Sequence, residues 1–242
     1  MTNYQFKRQE NKYFINSVDY QNLKNDISKV MRQDDYCFNN TSYKVRSLYF
    51  DNFDYKCIDE KLSGEKNRSK YRIRVYNNNF NNIKLEVKIK NNSVSFKKSF
   101  KVDKDFCNKI INGYDLDLEN IIDKDLKKEI IFMKHNWYKP ANIINYERDA
   151  FLISKNFFRV TFDKNLTTEL SNYDFFNINL QKQKIFLKDY VVLEVKYRNS
   201  IPKVVADVIE KYPMARSAIS KYVLGYKFRD FTKNRDSIRE PY

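Results

Sequence analysis

The chain of 242 residues carries one histidine, three cysteines and three glycines, and each scarcity removes a class of chemistry. His135, in "IFMKHNWY", has no second imidazole to join, so it is read as an ordinary residue of a helix rather than a catalytic base. Cys37, Cys57 and Cys107 are odd in number and lack CxxC spacing, which points to reduced core or surface thiols and away from disulfides or zinc ligands. Any metal must then be a hard cation held by carboxylate and substrate oxygens. With three Gly, four Pro and no Pro/Gly/Ser-rich stretch there is no visible linker, so one domain is expected over residues 1–228, followed by a polar tail at 229–242. No apolar run approaches the roughly 20 residues of a membrane span. "MTNYQFKRQE" has no apolar signal core either, and the expectation is a soluble, cytoplasmic chain.

What the sequence does have is positive charge. Lys and Arg number 46 against 31 Asp and Glu, a formal excess of +15, which implies a polyanionic partner: nucleic acid, an anionic membrane or a phosphate-rich small molecule. Strand-like alternation recurs eight times: "YQFKRQENKYFI", "SYKVRSLYF", "SKYRIRVY", "NIKLEVKIK", "SVSFKKSFKV", "NIINYERDAFLI", "FFRVTFDKNL" and "VVLEVKYR". Helical periodicity fits "SVDYQNLKNDISKVM", with Ser17 as N-cap and Val18, Leu23, Ile27 and Val30 along one face. Further helices are expected in "DKDFCNKIING", ending on Gly113, in "DKDLKKEIIFMKHNWY", after Pro202 in "KVVADVIEKY", and in "ARSAISKYVLGY". Strands outnumber helices and short turns join most of them. The fold class predicted is α+β, a mainly antiparallel sheet, closed or nearly closed, with helices packed outside.

The strand faces are unusual. Residues two apart share a face. "SKYRIRVY" therefore sets Tyr71, Ile73 and Val75 against Lys70, Arg72, Arg74 and Tyr76, while "FFRVTFDK" sets Phe158, Val160 and Phe162 against Phe157, Arg159, Thr161 and Asp163. Tyr146 and Arg148 go together, as do Arg8, Glu10 and Lys12, and the tetrapeptide Leu-Glu-Val-Lys occurs twice, at Leu85–Lys88 and Leu193–Lys196. A solvated sheet face accounts for any one of these strands taken alone. Arginine shifts the balance, because a chain with 33 Lys and 13 Arg places Arg72, Arg74, Arg148 and Arg159 on these faces, and Arg clamps phosphate bidentately. If the sheet curls, those faces line a lumen that needs carboxylates or a bound polyanion to neutralise it.

The ordered series "ENKYFI", "SLYFDN", "KLSGEKNRSKYRIRVY", "LEVKIK", "YERDAF", "RVTFDKNL", "LEVKYR" and "SKY" resembles the polyphosphate polymerase domain of the vacuolar transporter chaperone (VTC) family, within the triphosphate tunnel metalloenzymes, over roughly residues 4 to 228. The resemblance implies an eight-stranded antiparallel tunnel, open at both ends, in which Mn²⁺ or Mg²⁺ assists transfer of the ATP γ-phosphoryl to inorganic phosphate or polyphosphate. By the same resemblance the basic lining falls on Lys12, Lys61, Arg72, Arg74, Lys88, Arg148 and Arg159, the metal on Glu194 with Lys196 beside it, and phosphate or nucleotide contacts on Tyr146, Ser220 and Lys221. This chain departs from the family at Ala218, where a basic residue is common, with Arg216 further upstream. Glu86 is read either as a metal ligand or as a carboxylate orienting Lys88, and either Lys97 or Lys98 lines the tunnel. Two alternatives stand beside the polymerase: a tripolyphosphatase or nucleoside triphosphatase using water, and a non-catalytic polyphosphate or nucleic-acid binding module. Nucleic acid is not the expected partner, because most of the 38 Tyr and Phe alternate onto apolar faces. A membrane-anchored partner subunit is left open.

Overall fold

The computed structural model describes residues 9–37, 41–92, 94–113, 116–153, 158–169, 174–186 and 189–233, with side chains to residue 228. All eight expected strands form: β1 (Gln9–Ile15), β3 (Tyr43–Asp51), β4 (Arg68–Tyr76), β5 (Ile83–Asn91), β6 (Val94–Val102), β7 (Lys139–Ile153), β8 (Phe158–Glu169) and β10 (Val191–Tyr197). Two short strands, β2 (Arg32–Gln33) and β9 (Lys182–Lys184), add to β7 and β8. Every pairing is antiparallel, in the order β1-β10-β8-β7-β3-β4-β5-β6. The sheet curls into a half-barrel, and its end strands β1 and β6 share no ladder. The expected starts of the first and seventh strands, with Arg8 and Phe157, lie outside the described residues.

The alternation works as expected on the convex side, where Tyr71, Ile73 and Val75 of β4 and Ile83, Leu85 and Val87 of β5 are all buried. There α3 (Lys104–Ile111) and α4 (Lys124–His135) cover the strands through Cys107, Ile110, Ile130 and Met133. A second apolar cluster lies where α1 (Ser17–Val30) and α5 (Lys203–Ile209) press Leu23, Ile27, Val205 and Val208 onto Val160, Phe162, Leu193 and Val195. Each such fully buried aliphatic side chain contributes roughly 1.5–3 kcal/mol. The N-cap of α1 is Asn16 rather than Ser17: its side chain accepts from the Asp19 amide at 2.8 Å. Val18 is correspondingly exposed, and Tyr20 takes its place on the buried face. Gly113, at φ +124°, follows the end of α3 as its position suggested.

Two departures shape the site. A short helix not anticipated from the sequence, α2 (Lys56–Leu62), separates β3 from β4 and carries Lys61 in its last turn. The helix expected from Ala215 starts only at Lys221, as α6 (Lys221–Lys233). Residues 215–220 are an extended strap instead, because the Ser217 amide donates to the Lys12 carbonyl at 2.8 Å and Arg216 bridges to Tyr13, which takes these groups out of any helix. The strap leads α6 onto the concave side of the sheet. Gly225 permits that approach, since a Cβ there would collide with Ile144 and Asn142 of β7. Cys37, Cys57 and Cys107 are buried free thiols, and no helix among the described residues is long and apolar enough to cross a membrane.

Candidate active site

The concave face encloses a cavity of about 640 Å³. Its wall carries thirteen Lys or Arg side chains against three carboxylates, Glu10, Glu86 and Glu194, so the excess charge of the chain is concentrated where a ligand fits. Eleven of the twelve residues singled out from the sequence line it: Lys12, Lys61, Arg72, Arg74, Lys88, Tyr146, Arg148, Glu194, Lys196, Ser220 and Lys221. Arg159 is the exception. It shares the concave face but turns to the barrel end, where it is bound to Asp34 at 2.8 Å and donates to the Tyr43 hydroxyl at 3.0 Å.

The two Leu-Glu-Val-Lys strands face each other across the lumen. On β5, Glu86 accepts from Arg72 Nε at 2.8 Å, lies 3.6 Å from Arg74 and pairs with Lys97. Lys97 is thus the inward lysine, while Lys98 points outward to Glu129 of α4 at 2.8 Å. Burial would raise the Glu86 carboxyl, but Arg72, Arg74 and Lys97 outweigh it and hold it far below the usual carboxylate range. One carboxylate serving three cations is a counter-ion, and nothing ties it to Lys88, which instead reaches Glu10 of β1 at 3.4 Å.

On β10, Glu194 sits 2.8 Å from Lys196 and 3.8 Å from Arg148, with Lys12 opposite it in the β1 register. Burial opposes its charge, and Lys196 and Lys12 overcome that to push its pKa well down. Lys12, the register partner of Glu194, also holds the Glu10 carboxylate at 2.8 Å, which places both glutamates on one stretch of wall. Two carboxylates on one stretch of the cavity wall, with no soft ligand, suit a hard divalent cation whose remaining ligands are phosphate oxygens and water. Among the described residues no cluster of three or more His, Cys, Asp or Glu offers an all-protein metal cage.

Between these walls lies a group of cations fixed from behind. Arg148 forms a bidentate pair with Asp163, at 2.5 and 2.8 Å, and Lys221 joins the same carboxylate at 2.5 Å. Arg74 donates to Ser47 Oγ at 3.0 Å and to Tyr146 Oη at 3.3 Å, and Arg72 donates to Tyr49 Oη at 3.1 Å. Burial would raise the Asp163 carboxyl, yet Arg148 and Lys221 bring it down to about 2. These contacts lock the guanidinium rotamers while leaving donors for a ligand, which is the preorganisation that stabilises developing charge on transferring oxygens.

Sequence reasoning set Lys70 and Asp163 on the polar strand faces without giving either a role, and it did not single out Tyr49. Lys70 bonds Ser220 Oγ at 3.0 Å, and burial lowers its ammonium to about 8. Burial would raise the Tyr49 phenol, but Arg72 and Arg74 pull it down to about 8. Because Lys70 binds fewer protons folded than unfolded between about 8 and its ordinary 10.5, stability attributable to it rises with pH across that window. Anion binding runs the other way. Inorganic tripolyphosphate should bind more weakly as pH rises through about 8, with proton uptake on binding measurable by calorimetry in buffers of different ionisation heat. Lys70→Met and Tyr49→Phe apportion the effect, and a flat affinity from pH 7 to 9 in the unaltered protein would contradict it.

The VTC domain model matches residues 7–229 of this chain. The chain belongs to the VTC domain family. Membership places it among polyphosphate-related tunnel proteins, and the concave cationic cavity is the tunnel wall of this VTC domain. Among solved structures it is similar to a Bacillus halodurans protein provisionally assigned as an adenylate cyclase, with TM-score 0.47 and 11% identity over 85% of this chain and 88% of that one. It is also similar to a chain of the Schizosaccharomyces pombe Mediator head module, with TM-score 0.45 and 8% identity over 84% and 90% of the two chains. A Pyrococcus horikoshii protein gives TM-score 0.39 and 12% identity over 84% and 85%. Likenesses this distant carry no argument about function. No curated protein matches the VTC domain described here.

Proposed function

We propose that this VTC domain is a polyphosphate polymerase, transferring the γ-phosphoryl group of ATP to inorganic phosphate or to the end of a polyphosphate chain. The observation that carries this reading is the cluster of Arg72, Arg74, Arg148 and Lys221, held from behind by Glu86 and Asp163 and directed into a cavity without histidine or cysteine. Phosphoryl transfer asks a protein for positioning and charge stabilisation more than covalent work. An oxygen of the acceptor phosphate attacks the γ-phosphorus, the bond from that phosphorus to the β–γ bridging oxygen breaks, and ADP leaves with the electron pair. The acceptor is already an anion, so no strong base is required.

Arg72 and Arg74 on β4 and Arg148 on β7 bind and orient the transferring oxygens from two sides, while Lys12, Lys88 and Lys196 neutralise the flanking phosphates. Glu194, with Glu10, would hold Mn²⁺ or Mg²⁺, which when bound polarises phosphate oxygens as a Lewis acid. Incubation with ATP and Mn²⁺, with chain-length analysis and a separate assay of free phosphate, tests the assignment. Polyphosphate accumulating with ADP is the expected outcome; free phosphate and ADP alone would make water the acceptor and the protein a hydrolase.

A further inference from the structure

Next to Arg74, just outside the cavity wall, the cations give way to a cluster of tyrosine rings. At the ends of β3 and β4, Tyr43 and Tyr76 meet edge to face, with ring centroids 5.8 Å apart at 66°. Tyr36, from the segment after β2, leans over both: it lies 6.2 Å from Tyr43, and 6.5 Å from Tyr76 with the two planes only 27° apart. A ring recruited for packing is expected to be covered, yet Tyr36 is 70% exposed. This exposed ring is linked to the phosphate site through Tyr76 and Tyr43. The Arg74 guanidinium lies 5.9 Å from the Tyr76 ring centre, and Arg148 is the register partner of Tyr43. Lys84 lies over the Tyr76 ring, also at 5.9 Å, and Arg159 bonds the Tyr43 hydroxyl. Elsewhere the cavity wall carries Lys61, Arg68 and Lys90, groups suited to phosphate.

We propose that this tyrosine cluster is a nucleobase platform, on which the exposed Tyr36 ring, backed by Tyr76, stacks the base of a nucleoside triphosphate whose phosphates reach inward to Arg74 and Arg148. The proposal rests on the phosphotransferase reading and adds direction to it. The base stays at the tyrosine end, and the growing polyanion extends toward Lys61, Arg68 and Lys90. Every base has a π face, so stacking here favours nucleotides over bare phosphates without selecting strongly among bases, and the adjacent cations strengthen it.

Binding of ATP and of inorganic tripolyphosphate, each measured by calorimetry, separates the two ends of the ligand. Tyr36→Ala should weaken ATP binding about tenfold and leave tripolyphosphate binding unchanged. Tyr36→Trp should keep ATP affinity, and its added indole emission should be quenched by ATP but not by tripolyphosphate, measured against the wild type with its single Trp137. Tyr36→Ala that binds ATP as wild type does, or that loses ATP and tripolyphosphate equally, overturns the platform. Wild-type protein that binds ribose 5-triphosphate, which has the charge of ATP and no base, as tightly as ATP overturns the platform alone, whereas wild-type protein that binds neither ATP nor tripolyphosphate removes the phosphotransferase reading and the platform together.

Discussion

Arg74→Ala should lower turnover about 10²–10³-fold, a loss of about 3 kcal/mol in transition-state stabilisation, while leaving the melting temperature unchanged or raised. The outcome depends on what Arg74 leaves behind. Its main carboxylate neighbour, Glu86, keeps Arg72 at 2.7 Å as well as Lys97, so no buried charge is left unpaired, and the empty cavity loses one unit of self-repulsion. Ser47 and Tyr146 lose a donor but remain hydroxyls, able to turn toward water. Arg159→Ala should behave oppositely. Its guanidinium lies away from the cavity and is bound to Asp34, whose side chain is only 7% exposed, so its removal should cost stability more than catalysis. Steady-state assays and thermal melts on both variants decide the matter, and Arg74→Ala with normal turnover would remove the cavity's arginines from the chemistry.

Glu194→Gln should abolish Mn²⁺-dependent turnover and yet bind tripolyphosphate at least as tightly as wild type in the absence of metal. Glutamine keeps the shape but withdraws the charge that would hold a cation, and one carboxylate fewer repels the anion less. Glu86→Gln should behave differently, because Glu86 neutralises Arg72, Arg74 and Lys97 rather than standing beside a second carboxylate. Freed from it, those three cations should bind tripolyphosphate more tightly, and the folded state should lose stability through their mutual repulsion. Metal titrations of activity alongside metal-free binding separate the two. Full Mn²⁺ dependence retained in Glu194→Gln would exclude it as a ligand, and loss of activity confined to Glu86→Gln would exchange the roles of the two glutamates.

The strands and the sidedness of their faces could be read from the sequence because a period of two is local and each strand sustains it over several residues. Long-range pairing could not be read in this way. That Asp163 rather than Glu194 anchors Arg148 depends on where β8 meets β7, and that Lys97 rather than Lys98 enters the cavity depends on which side α4 offers Glu129. The strap was misread because Ala, Arg and Ser are acceptable in a helix. Its conformation is decided by a hydrogen bond to Lys12, some two hundred residues earlier in the chain. Helix α2 is not legible in the sequence because it is only seven residues long and is capped by Tyr55, whose left-handed φ of 53° has no sequence signature in a tyrosine.

The missing ladder between β1 and β6 has a topological consequence. A fully hydrogen-bonded barrel can be entered only by a free end, so a circular or end-blocked polyanion could never reach its interior. Here the two edges of the sheet have no shared ladder to break, and β1 is tied across the lumen by the Lys88–Glu10 pair and by the strap. An ion pair of this kind is worth little in free energy and can be exchanged for a phosphate oxygen. In the proposed reading, a polyanion laid in from the side has no ladder to break, but it must displace both the ion pair and the strap, which bonds Lys12 on one side and, through Ser220, Lys70 on the other.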